Sequence, residues 1–289
     1  METIYCYKLL FEHLTRLFSK RGKPLPGNYV TGTKEFSDKF IYHAQKNNIA
    51  NKAALKHLGE KYYLPETYFP GEKVSHSAQD TLFFSKEIHT DNAEGLTLLR
   101  RSDIPPIVPR NYILQPVISS KLYHGRAFSL RVLVCVRRTG QLMIDKNFLY
   151  QVNPKVLAEK STEILDKSLY VTNRAIHGGN GLGFFANDHP GEFDDKLYLD
   201  QLTDIIPNIF NKLLPISNDG YSDELSSSFF VAGLDFIARE NDNQLLLLEI
   251  NLSPGWTTIY GEQNYQRFYG HTTDFILNKE MKIDECIYI

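Results

Sequence analysis

The sequence predicts an α+β fold built mostly from antiparallel strand pairs with flanking helices. Two observations carry that prediction. Residues 81–99, 128–150 and 229–251 each read as two apolar runs separated by a polar or glycine-bearing turn, the pattern of a hairpin. Apolar residues at helical spacing occur in the opening segment, in residues 37–60 and in residues 266–277, which places helices around the strand pairs.

A chain of 289 residues can bury one large core or two to three small subdomains. With 42% hydrophobic and 23% charged residues it belongs with globular proteins, apart from disordered and membrane classes. A formal net charge of -2 gives no whole-protein reason to expect nucleic acid as a partner. Cys6, Cys135 and Cys286 are too few and too scattered for a disulfide framework or a cysteine zinc site, which points to a reducing compartment. The opening helical pattern is interrupted by Lys8, Glu12 and His13 and fails as a secretory signal. No apolar run reaches the roughly 18 residues of a membrane span. The expectation is a cytoplasmic protein with no membrane partner.

Taken in order, the opening helix leads to a turn at residues 24–27 and a second helical stretch over 37–60. Residues 63–71 read as an extended linker, because Pro65 and Pro70 bias their predecessors away from helix; a boundary near residue 70 follows. A strand over 81–86 ends on Lys86 before a polar loop bearing Gly95, and 96–99 return. Lys86 is either a solvated surface lysine or a group that meets nucleotide phosphates. Residues 112–118 form an apolar strand whose Pro116 cannot donate to a ladder, so it marks an edge or a crossing between subdomains.

In the strand over 128–136 the period of two puts Arg131 on the face of Ser129 and Leu133. An arginine is costly to bury unpaired, so it must meet a carboxylate, a phosphate or water. Thr139 and Gly140 turn this strand into residues 141–150. Further on, Thr172 and Asn173 precede Gly178, Gly179, Gly181 and Gly183. That segment can bring backbone N–H groups to an anion or serve as a plain connection, and it matches neither nucleotide-binding glycine fingerprint.

Residues 229–251 are the most informative, two buried strands around a polar turn. Facing positions of a hairpin sum to a constant, so an odd-length turn centred on Asp242, or a bulge near it, sets Asp235 opposite Glu249, with Asn251 on the same face as Glu249. Two carboxylates with Cβ atoms about 5 Å apart on an apolar sheet repel each other, and burial raises the pKa of at least one. A divalent cation removes the conflict, and hard Mg²⁺ suits Asp, Glu and Asn oxygens. The alternative is that Arg or Lys partners bind these carboxylates.

The ending Gly233-Leu234-Asp235-Phe236-Ile237 with Leu247-Leu248-Glu249-Ile250-Asn251-Leu252-Ser253-Pro254 resembles that of the tubulin–tyrosine ligase-like branch of the ATP-grasp proteins. Weaker blocks occur in the family's order: Asn51-Lys52, Pro65-Glu66-Thr67, Lys86 with Gly95, Gln115, Gly125 to Arg131, and Thr172-Asn173. The resemblance spans roughly residues 50 to 256 and implies an ATP-grasp fold that holds nucleotide between two mostly antiparallel sheet subdomains. Residues 1–70 would be a short N-terminal region, 71–118 the central subdomain and 119–289 the C-terminal subdomain with the metal site.

The same resemblance implies ATP and Mg²⁺ as cofactors. Lys86 would approach the phosphates; Gln115, Pro116, Val117 and Ile118 would border adenine. Arg131, Thr172 and Asn173 would reach phosphate or acyl groups, and Asp235, Glu249 and Asn251 would hold magnesium, with Arg131, Glu249 and Asn251 closest to the chemistry. The implied reaction activates a carboxylate as an acyl phosphate and joins it to an amine, adding an amino acid to a protein or peptide, tubulin among the candidates. The chain departs from the family at Ala127 and Ser129, where the family commonly has lysine and aspartate. Lys146 is the one basic residue between 141 and 151 that could meet a substrate carboxylate. Two further readings stand beside the ligase: a degenerate ATP-grasp protein that binds nucleotide or a partner, and a ligase for small peptides or metabolites.

Overall fold

In the computed structural model a small three-stranded sheet and an eight-stranded sheet organise the chain. The structure describes residues 3–6, 28–31, 52, 55–59, 61–75, 81–88, 90, 95–137, 140–157, 165–177, 182–217, 229–251, 262–276 and 286–289. The opening departs from expectation. Residues 3–6 form strand β1 (Thr3–Cys6), paired in parallel with β2 (Asn28–Thr31). Thr3, Ile4 and Tyr5 favour extended backbone, which outweighs the helical spacing there. The turn at 24–27 lies outside the described residues. Of the helical stretch over 37–60, the structure describes Lys52 and residues 55–59, with helix α1 at Leu55–Leu58.

The small sheet contains β3 (Leu82–Glu87), β4 (Leu96–Arg100) and β5 (Tyr112–Pro116), in the order β4-β3-β5 and all antiparallel. Tyr68, Val74, Phe83, Ile104, Val108 and Leu114 bury one side of it. Pro116 sits at the end of an outer strand, where its missing N–H breaks no central ladder.

The chain then crosses to the large sheet. Val117 N–H donates to the Leu82 carbonyl at 2.8 Å and Lys121 N–H to the Ala238 carbonyl at 2.9 Å. There follow β6 (Leu122–Tyr123), β7 (Arg126–Arg137), β8 (Leu142–Asp145), β9 (Leu149–Val152), β10 (Leu182–Phe185), β11 (Phe229–Ala238) and β12 (Leu245–Asn251). The main path runs β10-β9-β7-β11-β12, and β8 and β9 share one side of β7 in succession. The end of the chain, which reads in sequence as a polar tail after a helix, adds β13 (Cys286–Tyr288) against β8.

Helix α2 (Asp195–Ser217) has no counterpart in the sequence reading. Its apolar stripe, Tyr198, Leu202, Ile205, Ile206, Ile209, Phe210 and Leu213, is buried throughout and follows helical spacing. Pro207 and Pro215 disguise it, because proline ordinarily ends a helix. This stripe shares one core with Phe128, Leu130, Val132 and Val134 of β7, Ala232, Leu234 and Phe236 of β11, and Leu245 and Leu247 of β12. By alternation Ser129, Arg131, Gly233 and Asp235 fall on the other face. Helix α3 (Glu262–Ile276) covers the expected 266–277 helix and begins earlier. No described helix is long and apolar enough to cross a membrane.

Residues 55–74 serve both cores: Leu55, Leu58 and Tyr63 join the large one, Tyr68 and Val74 the small one. Leu247 N–H donates to the Tyr63 carbonyl at 2.8 Å, which covers part of the outer edge of β12. The α2 stripe packs with the large sheet in a single core. Phe210→Ala, at a position 1% exposed, should lower the unfolding free energy by about 3–5 kcal/mol in urea titration; a loss under about 1 kcal/mol contradicts this packing account.

Candidate functional site

The β11–β12 hairpin brings Asp235 and Glu249 together through a bulge, the second of the two routes the sequence allows, placed within β12 and away from the turn. Arg239 N–H donates to the Gln244 carbonyl at 2.9 Å and Asn243 N–H to the Arg239 carbonyl at 3.0 Å, with Asn243 at φ 58. Asparagine tolerates this left-handed conformation better than most residues. The ladder then runs Ala238↔Leu245, Ile237↔Leu246 and Phe236↔Leu247. Continued regularly, it would put Leu248 opposite Asp235 and turn Glu249 into the helix-covered core. A register shift after Phe236 gives instead Asp235↔Glu249, Leu234↔Ile250 and Gly233↔Asn251. The opposition of the carboxylates therefore stands, but the turn is not centred on Asp242. A bulge at Leu248 supplies the missing residue, since a one-residue shift moves side chains to the opposite face.

On the other side of β11, Asp235 pairs with Arg131 of β7. Arg131 Nε donates to Asp235 Oδ1 at 2.7 Å and Nη2 to Oδ2 at 2.6 Å, a two-point contact of the strong charge-assisted kind. Asp235 thus has an arginine partner, as one of the sequence alternatives expects. Asn251 Nδ2 donates to Asp235 Oδ2 at 3.2 Å and to Glu249 Oε1 at 3.1 Å. All three oxygen-bearing side chains and Arg131 thus form one network across three adjacent strands.

Burial pushes the Asp235 carboxyl up to about 6, against the opposing charge and hydrogen bonds of Arg131, and Glu249 adds to the rise. Burial also acts upward on Glu249, but its hydrogen bonds with Asp235 and Asn251 and the charges of Arg131 and Lys52 hold it below the usual carboxylate range. The two carboxyls titrate as one coupled pair.

Lys86 approaches from the small sheet. It is half-buried rather than solvated, and its Nζ lies 5.8 Å from the centroid of the Phe84 ring. Burial lowers its pKa to about 8; the Glu249 charge acts upward and the Lys52 charge downward. Lys86, Lys52 and Glu249 are therefore within electrostatic reach of one another, although they come from separate parts of the chain. Lys52 also donates to the Thr90 carbonyl. In the sequence Lys52 stands out only as half of the Asn51-Lys52 block of the family resemblance, with no role attached to it.

Gln115 is 2% exposed and its amide donates to Thr67 Oγ1 at 2.8 Å. Its side chain is engaged structurally, as is the Val117 N–H that donates to the Leu82 carbonyl. Pro116 pairs with Phe83, and Ile118 follows in the crossing segment.

Thr172 joins the large-sheet face, its Oγ1 2.7 Å from Ser129 Oγ, while Ser129 donates to Gln151 Oε1 at 3.2 Å. The Asn173 carbonyl accepts from Ile176 N–H at 3.2 Å, which starts a 3₁₀ turn. Asn153 holds this loop by donating to the Ser168 and Val171 carbonyls at 2.8 and 3.0 Å. The same loop touches the small sheet, where Lys167 Nζ donates to the Leu96 carbonyl at 2.8 Å and Tyr170 meets the Phe84 ring edge-on. Gly178, Gly179 and Gly181, with Ser253 and Pro254, lie outside the described residues.

Among the described residues no three His, Cys, Asp or Glu side chains form a group able to hold a metal ion. The oxygen donors gathered here are two carboxylates and one amide. Comparison with protein-family models and with curated proteins found no match to this chain.

Two outcomes follow from this geometry. Arg131→Leu leaves Asp235 buried without its partner and should cost about 3–5 kcal/mol of stability; adding Asp235→Leu should recover part of that loss in a denaturant double-mutant cycle. Asp235 has its folded pKa raised, so its contribution to stability is fully present below its unfolded value of 3.8 and is lost as pH rises through about 6. The stability of the wild type relative to Asp235→Asn should accordingly decline between about pH 4 and about pH 7. A flat difference over that range removes the basis for the raised value.

Proposed function

We propose that this protein is an ATP-dependent carboxylate–amine ligase with an ATP-grasp arrangement of its two sheets, acting on a protein or peptide. One observation carries the reading. Asp235, Glu249, Asn251 and Arg131 converge on one sheet face, and Lys86 of the other sheet lies within electrostatic reach of Glu249. A phosphate chain with a hard cation is the ligand whose charges complement such a set.

The donor chemistry fits magnesium. Asp235 and Glu249 are cross-strand neighbours, and Asn251 adds an amide whose terminal rotation exchanges its nitrogen for its oxygen. These three would hold Mg²⁺, which supplies neutralisation of phosphate charge when bound. Lys86 and Arg131 would grip phosphate oxygens, Lys86 as a point charge and Arg131 through its planar fork. Thr172 and Asn173 would lie toward the transferred or acyl group, and the strand at 115–118 toward adenine.

In the reaction, a substrate carboxylate oxygen bonds to the γ-phosphorus as the bond to ADP breaks. The amine nitrogen then attacks the acyl carbon, loses a proton, and expels inorganic phosphate to leave an amide. Positioning and charge stabilisation are the protein's main contributions to such phosphoryl transfer. The added group would be an amino acid and the acceptor a protein or peptide, tubulin among the candidates, in the cytoplasm.

A second reading is favoured by Ala127 and Ser129, both buried on β7 where the family that the sequence resembles commonly carries lysine and aspartate. It is a nucleotide- or partner-binding protein without turnover. Mixing the protein with Mg²⁺, ATP, pooled amino acids and candidate acceptors separates the two. The ligase should release ADP in an acceptor-dependent manner, and Glu249→Gln should reduce turnover by at least about 100-fold, as loss of a transition-state charge contact does. ATP binding without acceptor-stimulated turnover supports the second reading. Indifference of binding and turnover to both Glu249 and magnesium sinks the first.

A further inference from the structure

We infer that Arg131 is a latch on the cation site: it occupies both oxygens of Asp235 until a divalent cation displaces it, and the released guanidinium then serves the nucleotide phosphates. The inference rests on the reading that Asp235, Glu249 and Asn251 hold the cation, and it adds how that site is regulated.

The contact itself supplies the argument. Arg131 meets Asp235 at 2.7 and 2.6 Å, one bond to each carboxylate oxygen, and Asn251 donates to Oδ2 as well at 3.2 Å. The arginine side chain is 18% exposed and the aspartate side chain 9%, so the pair is screened little by solvent. A hard cation on Oδ1 or Oδ2 would sit beside the guanidinium, which repels it and takes one lone pair of each oxygen. Moving the guanidinium away removes that repulsion and opens both oxygens to the cation.

A guanidinium expelled from a buried carboxylate is itself costly to leave unpaired. Its planar fork fits phosphate as well as carboxylate. Arg131 lies on the sheet face that carries Glu249, and Glu249 is within electrostatic reach of Lys86 from the small sheet. Cation and nucleotide then help each other: the cation frees the arginine for phosphate, and phosphate keeps the arginine from returning to Asp235. Linkage makes this enhancement equal in both directions.

The competing account is a fixed arginine whose positive charge merely weakens cation binding. Arg131→Lys separates the two, because lysine keeps the charge but lacks the two-point grip. Mn²⁺ binding is followed by the loss of its free paramagnetic resonance signal, without nucleotide, on wild type and variant shown to be folded by circular dichroism. The latch predicts about tenfold tighter Mn²⁺ binding by the variant, the worth of one charge-assisted hydrogen bond. It also predicts that Mn²⁺ and a non-hydrolysable ATP analogue raise each other's affinity in the wild type, and less so in the variant.

Unchanged Mn²⁺ affinity in Arg131→Lys overturns the latch. A wild-type measurement covers the case of a variant that does not fold: the ¹⁵N resonance of Arg131 Nε should shift on addition of Mg²⁺, and an unmoved resonance also overturns it. Mn²⁺ binding that Glu249→Gln weakens but Arg131→Lys leaves alone defeats only the latch. Binding indifferent to Glu249→Gln defeats the cation site and the latch with it.

Discussion

A charged pair placed in the middle of a sheet constrains everything around it. Arg131 and Asp235 sit on neighbouring central strands, β7 and β11, whose other faces pack against helix α2. The apolar face fixes how the two strands lie, since sliding either by one residue would drive Arg131 or Asp235 into the helix core. The polar face can therefore carry a carboxylate, an arginine, an amide and a second carboxylate without each having to specify its own position. Packing on one side of the sheet determines the electrostatics on the other.

The bulge at Leu248 is the local exception that completes this arrangement. Beyond it Ile250 takes up the buried face while Glu249 joins Asp235. An irregular ladder costs pairing, and its effect here is to turn a carboxylate that regular alternation would bury among Leu247 and Phe236 toward the polar side. Asn251 then bridges the two carboxylates, while burial and the Glu249 charge raise the pKa of the Asp235 carboxyl. Across from them, burial leaves Lys86 easier to deprotonate than an exposed lysine.

The strand pairs and the opposition of Asp235 to Glu249 were legible in the sequence because both depend on alternation over short distances. The place of the register correction was not, because bulged and regular hairpins share the same composition and Leu248 looks like any leucine of the run. Helix α2 was hidden by Pro207 and Pro215, whose local preference yields to a buried stripe from Tyr198 to Leu213. β1 and β13 are too short to announce themselves, and their pairing partners lie far away or outside any local pattern. The engagement of Gln115 with Thr67, and of Arg131 with Asp235, depends on which distant side chain arrives beside each; the sequence states only that a partner must exist.

The segment that crosses from the small sheet to the large one has a consequence for how the protein folds. It is zipped along the end of β11, where Ser120 bridges Arg239 and Lys121 N–H reaches the Ala238 carbonyl, and Arg131 and Asp235 are 104 positions apart. Closing so long a loop is entropically slow before any contact rewards it. During synthesis the first five strands of the large sheet, through β10, emerge well before β11 arrives between β7 and β12. The Arg131–Asp235 contact forms only once β11 has joined β7, so the charged cluster is a product of long-range pairing rather than of local structure.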